Sequence, residues 1–376
     1  MPVTRLQHLT DPAACPRLVV KVGSSLLVGD EGVRRQWLAG LVAEIAAACA
    51  RGQQVIVVSS GAIALGAATL RLDKGGRGSL ADAQAAAAVG QIALAGLWAE
   101  LLAGHGLTAA QLLLTLDDLE DRRRYLNATA TLARLLDAGA VPVVNENDSV
   151  ATQEIRFGDN DRLAARVAQA AGASAVLLLS DVDGLFDRHP DEPQAHLISE
   201  VKGVTADIYA MASAASGSGL GSGGMTAKLQ AAEIAERAGI ALAIASGLHD
   251  APIGRATEGG IGTLFLPKRN APARKAWLGG RLRLKGALTV DAGAARALAG
   301  GSSLLAAGIV AVEGAFVRGD AVAIRDATGC TLAHGLSEYD AADCAAILGR
   351  KSGEHAALLG YAPRSAVVHR DQLVLL

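Results

Sequence analysis

Lys21 follows the apolar residues Leu18, Val19 and Val20 and stands just before Gly23, Ser24 and Ser25. A cation there lies beside a tight turn whose backbone amides can face an anion. The order of residues is not that of the GxxxxGK[ST] phosphate loop, and a solvated lysine at a strand end accounts for it as well. A second lysine, Lys228, ends the run Gly217 to Lys228, in which Ser222, Gly223, Gly224, Met225, Thr226 and Ala227 lead into a helical pattern. Glycines allow close backbone approach, a helix start favours negative charge, and a lysine in the first turn reaches an oxygen. The competing reading is a flexible surface loop. Ser59-Ser60-Gly61 closes an apolar run and opens another helix, which suits an anion or plain N-capping by serine.

Oxygen-rich segments complete the set. Asn145-Glu146-Asn147-Asp148 follows an apolar run, and Gly158-Asp159-Asn160-Asp161 precedes a helix. Such a density of amides and carboxylates can grip the charged ends of an amino acid or coordinate Mg²⁺ through oxygen. The spacing is not that of an EF-hand, and Asp and Asn are also ordinary turn formers. Ser180-Asp181 closes the run Ala175–Leu179, where Asp181 can meet a nucleotide or metal or simply begin the turn toward Gly184.

These residues need a scaffold. From Leu18 to about Leu266, short β-branched runs alternate with Ala- and Leu-rich stretches, the pattern of a mostly parallel sheet sandwiched by helices. Strands are expected at Leu18–Val22, Val55–Val58, Val141–Val144, Ala175–Leu179 and Ile240–Ala245. Helices are expected at Trp37–Ala50, Ala81–Leu102, Asn127–Asp137, Arg162–Ala171 and Met225–Ala238. In open α/β sheets ligands bind beyond the carboxyl ends of the strands, where the polar residues above fall. Residues 1–267 therefore read as a catalytic domain. Pro267 to Lys285, with two prolines and seven basic residues, reads as a linker over 268–285. Residues 286–376 read as a small β-rich barrel with strands at Ala287–Val290, Ile309–Val312, Ala321–Arg325 and Ala366–Val368.

Composition bounds the function. Apolar residues make up 51% of the 376 residues and aromatics 3%, so the core is aliphatic. The runs Val55–Val58 and Ala175–Leu179 fall well short of the roughly 20 residues of a membrane span. Met1 to Pro16 has no basic stretch leading into an apolar segment, so no membrane role and a cytoplasmic location are expected. Cys15, Cys49, Cys330 and Cys344 are scattered without CxxC spacing, which argues against a zinc site or disulfide framework. A net charge of −2 gives no global attraction to nucleic acid.

Taken in order, VVKVGSSLL, VVSSGAIALG, VPVVNENDSVAT, FGDNDRLAA, LLLSDVDGLF, GLGSGGMTAKLQAA and GTLF resemble the amino acid kinase family, and within it the bacterial glutamate 5-kinases. The tail from about Gly280 is similar to a PUA domain. The resemblance implies the amino acid kinase fold and transfer of the γ-phosphoryl of ATP, with Mg²⁺, to the side-chain carboxylate of L-glutamate, the first step of proline synthesis. It implies ATP-binding roles for Lys21, Ser180, Asp181 and Ser222 to Lys228, glutamate-binding roles for Ser60, Asp148 and Asn160, and a catalytic set of Lys21, Asp161 and Lys228, with no protein-held metal. It further implies proline as feedback inhibitor and a homodimer or homotetramer. Serine stands at Ser59 and Ser180 where many relatives carry threonine, a change that keeps the hydroxyl.

Two rivals are weighed against this. The PUA-like tail and the basic linker suit RNA as a partner, but the tail lacks the aromatic clusters that stack on unpaired bases. Aspartate, acetylglutamate, carbamate or a nucleotide could be the acceptor on the same fold. A catalytically dead binding protein fits less well, because every expected polar position is filled.

Overall fold

The computed structural model describes residues 2–29, 32–150, 159–215, 224–267, 284–364 and 366–375. The backbone divides into two compact units, Met1–Glu120 with Ala128–Arg269, and Asp121–Asn127 with Asn270–Leu376. The linker predicted at 268–285 lies outside the described residues apart from its last two positions.

The first unit is built on an eight-stranded sheet of β1 (Arg17–Val22), β2 (Gln54–Ser59), β3 (Ala109–Leu114), β4 (Val141–Glu146), β5 (Ala175–Ser180), β6 (Glu200–Lys202), β7 (Ala241–Ser246) and β8 (Thr263–Leu266). The strand order is β3-β4-β2-β1-β5-β7-β8-β6. Every neighbouring pair is parallel except β7 with β8. The expected mostly parallel sheet flanked by helices is thus the observed fold. Strands covered on both faces read as continuous apolar runs, and the central strands β1, β2, β5 and β7 are buried almost throughout.

β1 lies in the interior of the sheet. It pairs with β2, setting Lys21 opposite Val58 and Val22 opposite Ser59, and on its other side with β5, setting Lys21 opposite Leu178. The chain runs from β1 to β2 on one side and later returns to β5 on the other. The strand order reverses at β1, and the carboxyl ends around such a point form a ligand crevice.

The longer helices include α1 (Arg35–Ala50), α2 (Ala62–Leu70), α3 (Leu80–Ala103), α4 (Arg122–Asp137), α5 (Asp159–Ala171) and α6 (Met225–Arg237). α1 buries Trp37, Leu38, Leu41, Val42, Ile45 and Ala48, a stripe at helical spacing. α3 begins at Ser79, whose hydroxyl accepts from the Asp82 amide at 3.1 Å, an N-cap of the kind that stabilises a helix by about 1 kcal/mol. In length and composition α3 alone among the described helices could cross a membrane. One face of it is nevertheless core, with Ala83, Ala86, Ala87, Gly90, Leu94, Trp98 and Leu102 buried.

α2 and α3 cross with their backbones in contact. A Cβ on Gly66 would fall 1.8 Å from the Ala86 carbonyl oxygen, and one on Gly90 would fall 1.8 Å from that of Ala62. Only glycine permits this approach at either position.

The second unit holds a five-stranded sheet of β9 (Gly286–Val290), β10 (Ile309–Gly314), β11 (Ala321–Arg325), β12 (Thr331–Leu336) and β13 (Leu373–Leu375), in the order β10-β9-β11-β12-β13. Its core includes Leu288, Val290, Ile309, Phe316, Val322 and Ile324. The terminal strand expected at Ala366–Val368 falls instead at β13, and Val368 makes only a single bridge to Leu304. All four cysteines are free. Burial pushes the Cys15 and Cys344 thiols up to about 12, which leaves both as unreactive core residues.

Candidate active site

The carboxyl ends of β1, β2 and β4 and the first turns of α5 and α6 converge on two adjacent residues, Asn160 and Asp161. Asp161 is 1% exposed. Its Oδ1 lies 2.5 Å from the Lys21 ammonium and its Oδ2 lies 3.3 Å from that of Lys228. Both lysines are themselves buried. Lys21 comes from the end of the interior strand β1, and Lys228 is the fourth residue of α6. Burial works to raise the Asp161 pKa, but the charges and hydrogen bonds of Lys21 and Lys228 prevail and hold it below the usual carboxylate value. The carboxylate therefore stays ionised, and the three groups together carry one net positive charge.

Asn160 faces a different set of partners. Its Nδ2 donates to Ser60 Oγ at 2.7 Å and to Asn145 Oδ1 at 3.2 Å. Its Oδ1 is buried and has no partner among the described residues. Asn145, at the end of β4 and 2% exposed, donates in turn from Nδ2 to Gln91 Oε1 on α3 at 2.8 Å. Ser60 is held from behind: its amide donates to the Val22 carbonyl at 3.0 Å. Its carbonyl accepts from Ser59 Oγ at 3.0 Å, and that hydroxyl accepts from Trp98 Nε1 at 2.9 Å. Gly61, with φ at +117°, makes the left-handed turn into α2 that a side chain would strain.

Asp148 lines a cleft of about 310 Å³ together with Gln91, Gln111, Glu146, Asn147 and Ser149. Partial burial lowers the pKa of the Arg77 guanidinium, and the negative charge of Asp148 acts against that, so the two groups sense each other. At the end of β5, Ser180 Oγ donates to Asp181 Oδ1 at 2.9 Å, and Ser180 stands in register with Ser246 of β7. Gly224, Met225, Thr226 and Ala227 form the N-terminal cap and first turn that lead to Lys228. Ser222 and Gly223 lie outside the described residues.

Among the residues singled out from sequence, the fold brings together Lys21, Asp161 and Lys228 in one cluster and Ser60 with Asn160 in another. Gln91, Trp98 and Arg77 went unassigned, and Asn145 was named only as part of the oxygen-rich run that ends at Asp148. Gln91 carried one legible signal, a polar side chain directly after Gly90 in an otherwise apolar helical stretch.

Residues 16–246 match the amino acid kinase family, and residues 286–359 match the PUA domain. The chain belongs to the amino acid kinase family. A protein named glutamate 5-kinase from Novosphingobium aromaticivorans is 71% identical over the full length of both chains. Another of that name, from Sphingopyxis alaskensis, is 62% identical over 98% of this chain and 100% of its own. A third, from Zymomonas mobilis subsp. mobilis, is 55% identical over 97% of this chain and 92% of its own. A C-terminal PUA domain thus accompanies the kinase domain in this family member, and the two ion-paired lysines stand in its kinase unit.

Proposed function

We propose that this chain transfers the γ-phosphoryl group of ATP to the side-chain carboxylate of L-glutamate, giving L-glutamyl 5-phosphate and ADP. The observation that carries the reading is the adjacency of Asn160 and Asp161, one tied to a neutral hydroxyl and amide set and the other to two ammonium groups. The relatives named glutamate 5-kinase add weight to it.

A glutamate side chain, with a reference pKa of about 4.3, is ionised at neutral pH, so its oxygen attacks without a general base. The obstacle is electrostatic. Two unit negative charges 4 Å apart repel by about 4 kcal/mol at an effective dielectric constant of about 20, which corresponds to roughly three powers of ten in rate. Lys21 and Lys228 neutralise the phosphates as charge shifts from acceptor to leaving group, and Asp161 orients both ammonium groups. Ser60, Asp148 and Asn160 hold the amino acid. Ser180, Asp181 and the segment Ser222 to Lys228 hold the nucleotide.

Mg²⁺ enters this scheme with ATP. Among the described residues no group of three carboxylate, imidazole or thiol side chains could form a protein cage for it, and both oxygens of Asp161 face lysines. Mg²⁺ characteristically keeps several waters and binds through substrate phosphates, so the nucleotide oxygens would supply its other ligands.

Finer parts of the same proposal are cytoplasmic action in proline synthesis, inhibition by proline at the amino-acid side of the site, and a homodimer or homotetramer. The test is incubation of the purified protein with ATP, Mg²⁺, hydroxylamine and L-glutamate, since hydroxylamine traps an acyl phosphate as a hydroxamate. Hydroxamate from glutamate but not from aspartate or acetylglutamate, suppressed by added proline, is the expected result. Reaction with another acid would instead reassign the pocket around Asp148 and Asn160.

A further inference from the structure

The polar chain from Ser60 does not stop at the residues assigned to the amino acid; it runs on through Asn145 to Gln91 on α3. Both hydrogens of the Asn160 amide are committed, one to Ser60 Oγ and one to Asn145 Oδ1. For Asn145 to accept there, its own NH₂ must point the other way, and it donates to Gln91 Oε1 at 2.8 Å. The group left over is Asn160 Oδ1, buried and without a partner among the described residues, a state that costs about 1–3 kcal/mol unless a donor arrives. Ionised glutamate has only one kind of donor, its ammonium group; both of its carboxylates accept.

We infer that Gln91 is a positioning residue that fixes the polarity of the amide relay Gln91–Asn145–Asn160, so that an acceptor rather than a donor faces the substrate ammonium. The inference rests on the glutamate reading above. Without the Gln91 acceptor, Asn145 is free to turn its amide over. Its NH₂ then meets the NH₂ of Asn160, which must turn as well and present N–H groups to a cation. Gln91 is half-buried at the edge of the cleft that Asp148 also lines, which suits a side chain acting through its neighbours.

The test compares Gln91→Met, which keeps length and removes the acceptor, with Gln91→Glu, which keeps an acceptor oxygen at the same reach. For each full-length variant the hydroxamate assay gives kcat and the KM for glutamate and for ATP, and competition gives the inhibition constant of glutarate, which lacks the amine. Gln91→Met is expected to raise the glutamate KM about tenfold, with kcat, the ATP KM and the glutarate constant within twofold of wild type. Gln91→Glu is expected to stay within threefold throughout. An unchanged glutamate KM in Gln91→Met overturns the inference, as does an equal loss for glutarate or an equal failure of Gln91→Glu. Gln91→Ser, a smaller side chain, reads the same loss should methionine not be accommodated. Failure of wild type to use glutamate in the same assay strikes the functional reading instead, and is thereby told apart from a failure of the relay.

Discussion

Asn160 and Asp161 are neighbours in sequence, yet the two sets of side chains around them are built on opposite principles. Among the described residues the side-chain partners of Asp161 are charged: its carboxylate lies between two buried ammonium groups, with electrostatics that tolerate some play in position. Around Asn160 the groups are neutral and directional, each amide fixed by the one behind it. The difference matches the two tasks in the proposed reaction. Neutralising a spreading phosphoryl charge needs net positive charge at short range, whereas recognising an ammonium needs a lone pair aimed correctly. The first helical turn of α5 serves both.

The sharpest way to break this contrast is to remove charge on one side only. Lys21→Ala or Lys228→Ala is expected to lower kcat by about 10²- to 10³-fold, the usual scale for a lost transition-state contact, with the glutamate KM little changed. Steady-state kinetics on the purified variants check this, and near-normal turnover would take that lysine out of the mechanism. Asp148→Ala should do the reverse: the glutamate KM rises about tenfold or more while the ATP KM moves less. An unchanged glutamate KM would remove Asp148 from the amino-acid side.

A fourth variant strains the amide side mechanically. Gly90→Ala forces a methyl into the Ala62 carbonyl, and overpacking of this kind costs about 1–3 kcal/mol or more. Thermal denaturation should show a lower Tm, and the displaced α3, which carries Gln91, should weaken glutamate more than ATP. Equal weakening of both would show that the two halves of the site are not mechanically separate.

The smallest effect concerns acid. The Asp161 pKa is held below its ordinary value in the folded chain, so the stability it contributes is fully present above the unfolded value of about 3.9 and is lost as pH falls through the lower folded value. Asp161→Asn lacks that contribution at every pH. Its stability should therefore fall less steeply than that of wild type below about pH 4, as urea titrations at stepped pH would reveal.

Much of this arrangement was legible beforehand, for reasons that particular residues make plain. Strands β1, β2, β4, β5 and β7 are covered on both faces, so each appears as an apolar run ending at a polar residue. β3 was not anticipated because it lies at the sheet edge with its side chains only partly buried, and AAQLLL fits a helix as readily as a strand. β8 spans only four residues, too few to show a period. In the second unit, the final strand moved to β13 because the apolar residues Ala366–Val368 pack into the core with little strand pairing. At the site, residue types marked the lysines and the oxygen-rich loops. Sequence could not say that residues 140 and 67 positions from Asp161 would meet on its two oxygens, because that follows from strand order. Gln91 escaped for a related reason: its partner Asn145 lies 54 residues away, and the glycine crossing that brings α3 close has no local periodicity.

The interior place of β1 has a kinetic consequence. An amide hydrogen in a strand paired on both sides along its length exchanges with solvent only when the sheet itself opens. The backbone carrying Lys21 therefore belongs to the slowest-exchanging part of the first unit, and the edge strands β3 and β6 can fray and re-form many times over while the Lys21 ammonium keeps its place beside Asp161.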